Sequence, residues 1–154
     1  MKFRRLYLLS IALLLVIGVA SISFAGVVVI VNPQNPTSSL SSHDLANIYR
    51  LKKTTWGTGW WVTGIKIKPV NLKREDPIRK TFSEIILKKD TAAMEKFYLK
   101  RALSGKGQPP KVLNSSIAVR DFVKYYKNTI GYIDEKDVDD SVKVIFIDGK
   151  KQID

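Results

Sequence analysis

The sequence predicts an α/β layered domain built on a mixed sheet. Runs of β-branched residues bracket the stretch after residue 25, in "GVVVIVNP" at 26–33 and "VKVIFID" at 142–148. Between them lie segments with apolar residues at helical spacing, each preceded by Ser, Asp or Asp-Pro. Strand-like and helix-like segments follow the order β-α-β-α-α-α-β-β, which gives about four to five strands flanked by helices.

Each element has its own signal. The 26–33 strand is ended by Asn-Pro, and "NPQNPTSSL" continues as a loop. Ser41 with Asp44 three residues on resembles a capping box, and Leu45, Ile48, Tyr49 and Leu51 share one face of a short helix. "GIKIKPVN" at 64–71 alternates into a second strand, with Pro69 placing it at a strand end or an edge. Asp76-Pro77 starts a helix whose inner face is Ile78, Phe82, Ile85 and Ile86, ending near Lys88-Lys89. A third helix over 91–103 points Met94, Phe97, Tyr98 and Leu103 inward. "SGKGQPP" at 104–110 is a loop. A serine-capped helix then buries Ile117, Val119 (or Ala118), Phe122, Val123 and Tyr126. "TIGYI" at 129–133 is a strand, "DEKDVDD" a solvated acidic turn, and the closing strand turns Val142, Val144 and Phe146 to one side.

The chain has 154 residues and no cysteine, so neither a disulfide nor a cysteine-linked lipid is available. Residues 1–25 read as a signal peptide. Lys2, Arg4 and Arg5 precede an apolar run over 6–19, and Ser23 and Ala25 suit cleavage before Gly26. The run 6–25 is also long enough to span a bilayer, which leaves an uncleaved anchor as the rival reading. With cleavage the product is periplasmic and keeps no stable membrane anchor. Residues 26–154 then form one domain.

Without the three basic residues of the signal the net charge is +9, and it is uneven. Residues 50–111 carry +11 and residues 112–154 carry −1, so the middle of the chain attracts anions. An exported chain without a nucleic-acid motif is not read as a nucleic-acid binder.

Catalytic and cofactor chemistry is scarce. His43 is the single histidine and sits in the first turn of a helix. No His/Cys set suits a transition metal, and neither a nucleophile elbow nor a Walker loop is present. The acids at 134–140 lack the glycine and terminal glutamate of a calcium loop. The expectation is a non-enzyme with no cofactor. Anion binding is better supplied. The helix start at Asn114-Ser115-Ser116 offers backbone N–H groups and hydroxyls, and simple capping is the plainer reading of the same residues. Arg74 and Arg79 flank the Asp76-Pro77 start, with a solvated helix face as the plainer reading of Arg79.

Five segments in order resemble the PstS-like substrate-binding proteins of phosphate ABC transporters, in particular short, single-lobe members. They are "VVVIVNPQNPTSSLSSHDLANIY", "WVTGIKIKPVN", "IRKTF", "LSGKGQPPKVLNSSIAVRDFV" and "NTIGYID". The resemblance implies one lobe of a type II periplasmic-binding-protein-like fold. It also implies phosphate or another small anion as ligand and an ABC transporter or other envelope protein as partner. The sequence departs from the family at one helix start. Arg79 and Phe82 match Ser-Gly-Thr-Arg-x-x-Phe, but Asp76, Pro77 and Ile78 replace Ser-Gly-Thr. Two hydroxyls and an amide N–H are lost and a carboxylate is gained, which weakens phosphate binding. The alternative expectation is an envelope interaction module that kept the lobe and lost the ligand.

All three tryptophans fall in 56–61. Trp61 matches the family pattern and reads as packing. Trp56 and Trp60 do not match it and read as partner contacts in a glycine-rich basic loop.

Overall fold

A computed structural model describes residues 26–57 and 64–153. The export-signal reading of 1–25 and the readings of Trp60 and Trp61 lie outside the described residues.

The first strand, β1 (Val27–Val31), is buried at all five positions, as its β-branched run requires. It is the antiparallel centre of the sheet. β5 (Thr129–Asp134) lies on one side, with Val29 opposite Tyr132. On the other side β6 (Lys143–Ile147) and β7 (Gln152–Ile153) share its length. β3 (Lys68–Leu72) runs parallel to β5, and β4 (Lys111–Leu113) runs parallel to β3. β2 (Ser39–Leu40) closes the far edge parallel to β6, giving the order β2-β6-β1-β5-β3-β4. The sheet is therefore mixed and has seven strands.

Four helices flank it: α1 (Ser42–Tyr49), α2 (Pro77–Ile85), α3 (Thr91–Leu103) and α4 (Ser116–Tyr125). Each begins on a polar cap. Ser41 Oγ accepts the Asp44 amide at 3.0 Å, and Asp90 accepts the Ala93 amide at 2.7 Å. These satisfy donors that a helix leaves unpaired at its start.

The core between sheet and helices holds an aromatic cluster. The Phe82 and Tyr132 rings stack at 3.8 Å, and Tyr49 meets Phe82 edge-on at 4.8 Å. The three buried tyrosine hydroxyls are satisfied. Tyr49 donates to the Val70 carbonyl at 3.1 Å, Tyr132 to Asn71 Oδ1 at 2.9 Å, and Tyr98 to the Tyr49 carbonyl at 2.9 Å.

Several expectations change. Leu103 ends α3 80% exposed, because the helix packs through Met94 and Tyr98 and its last turn projects past the core. Ile117 and Tyr126 are about half exposed, while Val119 and Val123 take the inner face of α4. In β6 the buried face is Ile145 and Ile147, and Phe146 points outward. The alternation holds, with Val144 and Phe146 together on the less buried face. The second strand starts at Lys68, so Ile65 remains exposed in the loop. Pro69 sits at that strand's start, which bears out the strand-end reading, while β3 lies inside the sheet.

Candidate ligand cleft

β4, β3 and β5 run parallel to one another, so their carboxyl ends lie together. In a parallel α/β arrangement that end is where ligands are met. Here each strand delivers one wall of a cleft. β3 leads to Asp76-Pro77 and α2. β4 leads to Asn114, Ser115 and α4. β5 ends in Asp134 and runs into the turn carrying Lys136 and Asp137. These residues enclose a concavity of about 360 Å³, so the N-termini of α2 and α4 share one hollow.

One backbone donor at each helix start is capped by a side chain. Asp76 Oδ1 accepts the Ile78 amide at 2.9 Å, and Pro77 has no amide to offer. Ser115 Oγ accepts the Ala118 amide at 3.1 Å. Ser116 is buried, and its Oγ accepts the Asp134 amide at 3.2 Å, which ties α4 to the end of β5. Asn114 and Ser115 are exposed on the rim.

Besides Asp76, the charges of the hollow are those of Asp134, Lys136 and Asp137, residues expected in a solvated turn. Asp134 is 7% exposed. Its Oδ1 accepts the Lys136 amide at 3.2 Å, and its Oδ2 lies 3.1 Å from Lys136 Nζ. That hydrogen bond, with the charges of Asp134 and Asp137, raises the Lys136 pKa above its usual value. Three carboxylates (Asp76, Asp134, Asp137) thus line the hollow against one ammonium. The sequence marks Asp134 only as the residue directly after the Ile-Gly-Tyr run; the parallel pairing that ends this strand beside Asp76 arises in the fold.

Arg79 takes a different place from the expected one. It is 2% exposed and lies in the core rather than on a solvated face or in the cleft. One Nη donates to the Leu72 carbonyl at 2.8 Å, and the other pairs with Glu95 of α3. The guanidinium is spent as a strut between β3, α2 and α3. Arg74 is exposed in the turn before α2 and is not among the cleft-lining residues. Of the anion candidates, the structure brings Asn114, Ser115 and Ser116 to the cleft and keeps both arginines out of it.

Trp56, expected as a partner contact, is 6% exposed. Its indole N–H donates to the Asn128 carbonyl at 3.2 Å, and its backbone amide to the Ile65 carbonyl at 2.9 Å. It packs the loop before β3 onto the core. Among the described residues, no group of three or more His, Cys, Asp or Glu could hold a metal ion.

No family model matches the chain, and no curated protein matches it by sequence. Solved structures do match. One is a Clostridium perfringens protein described as a phosphate ABC transporter substrate-binding protein and solved with bound phosphate. It superposes at a TM-score of 0.65 with 25% identity, over 81% of this chain and 46% of its own. The chain has the fold of a single periplasmic-binding-protein-like lobe. An ABC-type phosphate transport receptor from Vibrio cholerae gives 0.62 with 23% identity, over 80% of this chain and 46% of its own. PstS from Borrelia burgdorferi gives 0.62 with 15% identity, over 81% and 48%. This chain spans less than half the length of each.

Proposed function

We propose that the chain is an exported, non-enzymatic substrate-binding lobe of the phosphate-receptor kind, whose cleft takes phosphate or another small anion only weakly. The observation that carries this is the Asp76 carboxylate on the Ile78 amide. A helix N-terminus attracts anions through its free N–H groups and its dipole. At α2 that place is filled by an acid of the chain itself, and Asp134 and Asp137 add repulsion. The rim offers an anion Asn114, Ser115 and the ammonium of Lys136, which Asp134 already pairs.

A second reading has its own support. The lobe is less than half as long as its structural neighbours, and Ile117 stands half exposed on the first turn of α4 beside the cleft. An envelope protein could cover that face, with an ABC transporter subunit or another periplasmic protein as partner.

Calorimetric titration of the full chain with phosphate separates the two. A dissociation constant in the millimolar range, about −4 kcal/mol, supports the weak-binding lobe. Micromolar or tighter binding contradicts it. No heat at millimolar phosphate, together with a defined complex in light scattering, moves the assignment to the interaction module.

A further inference from the structure

A second cavity lies away from the cleft, between α1, the end of α2 and the turn joining β6 to β7. Its volume is about 390 Å³, within the range of small-molecule sites. The floor is apolar, made by Ala46, Ile86, Ile147 and Ile153, each less than a tenth exposed. The rim is cationic, with Arg50 from α1, Lys88 after α2 and Lys150 from the turn.

Two of those cations are not neutralised. Arg50 gives one Nη2 hydrogen bond, at 2.9 Å, to the Leu87 carbonyl. A guanidinium has five donors, and the rest of this fork has no protein partner among the described residues. Lys88 has no ion-pair partner among the described residues. The one carboxylate in the lining, Asp148, accepts the Ser42 amide at 3.0 Å, and hydrogen bonding from the Ser42 side chain, then its amide, holds its pKa below the usual range. Lys88 and Asp148 also have left-handed backbones, with φ of 51° and 49°. A non-glycine residue pays for that conformation, and here it is used twice around one cavity.

An apolar floor under a partly unpaired cationic rim selects a ligand with both features. We propose that this cavity binds an amphipathic anion, a carboxylate with an aliphatic body: the head on Arg50 and Lys88, the body on Ile86, Ile147 and Ile153. The site is independent of the cleft and of the function proposed for it.

The test is a titration of the full chain with octanoate, followed by the methyl NMR signals of Ala46, Ile86 and Ile153. Octylammonium, octanol and inorganic phosphate serve as controls. Saturable octanoate shifts confined to these methyls are expected, with weaker binding by every control. Lys88→Gly removes one cation while relieving the left-handed backbone, so it should fold at least as well and bind octanoate about tenfold more weakly. Arg50→Gln keeps a donor for Leu87 and should weaken binding similarly. No saturable octanoate binding would overturn the proposal, as would unchanged affinity in both variants. Equal binding of octylammonium, octanol or phosphate at these residues would overturn the assigned ligand class.

Discussion

Asp76 does two things at one position: it caps α2 and it sets the sign of the cleft. Removing the cap with Asp76→Ala should cost about 1 kcal/mol in denaturant unfolding, whereas Asp76→Ser keeps a capping oxygen and should stay within a few tenths. Arg79 is a positioning residue for three elements. Arg79→Met leaves the buried Leu72 carbonyl without its donor and should destabilise by about 1–3 kcal/mol. Glu95, 43% exposed, stays solvated, so the variant avoids the larger cost of a stranded buried charge. Its effect on phosphate affinity should be nil; a loss of affinity in the folded variant would place Arg79 back at the ligand. Trp56→Ala should cost about 3 kcal/mol, measured the same way, as for other buried indoles. Sequence made the caps readable because their chemistry is local. The fates of Arg79 and Trp56 were not readable, because Glu95, the Leu72 carbonyl and Asn128 reach them only in the folded chain.

Among the elements, β5 carries the tightest packing constraint. It is buried at all six positions. Gly131 faces α4 so closely that an added Cβ would lie 2.6 Å from Val119 Cγ1 and 3.0 Å from Val70 Cγ2. Gly131→Ala should therefore destabilise by about 1–3 kcal/mol through overpacking, and Gly131→Ala with Val119→Ala should recover part of the loss in thermal unfolding. The Ile-Gly-Tyr run showed a strand with a glycine, but the reason for the glycine is α4 crossing above it. The long helices and β1 were legible from period and caps, and α3 was read to its ends. β2, β4 and β7 were not. Each has two or three residues and exists only through its partner strand, so no local pattern marks it.

At the scale of the whole molecule, three buried tyrosines couple the fold to alkaline pH. Burial pushes Tyr98 from its ordinary value of 10.0 up to about 12, and raises Tyr49 and Tyr132 as well. The folded chain thus holds these protons more tightly than the unfolded chain. The Tyr98 contribution to stability is complete below pH 10 and is lost as pH rises from there towards 12, and those of Tyr49 and Tyr132 start to fall from the same pH. Tyrosinate absorbance followed beside circular dichroism should show these groups ionising only with unfolding. Their titration near pH 10 in a folded chain would contradict the burial. The lobe architecture was visible from the order of the segments, and so was the weakened helix start at Asp76. The gathering of Asp134, Lys136 and Asp137 with it was not, since it arises from three parallel strands ending side by side.

The central claim is that the chain's own carboxylate holds the anion position at α2. The direct measurement is the phosphate dissociation constant of Asp76→Ser against the unaltered full chain, by calorimetry. Replacing the charge with a hydroxyl should tighten binding about tenfold, or about 1.4 kcal/mol. Unchanged or weaker binding in a folded Asp76→Ser chain would contradict it.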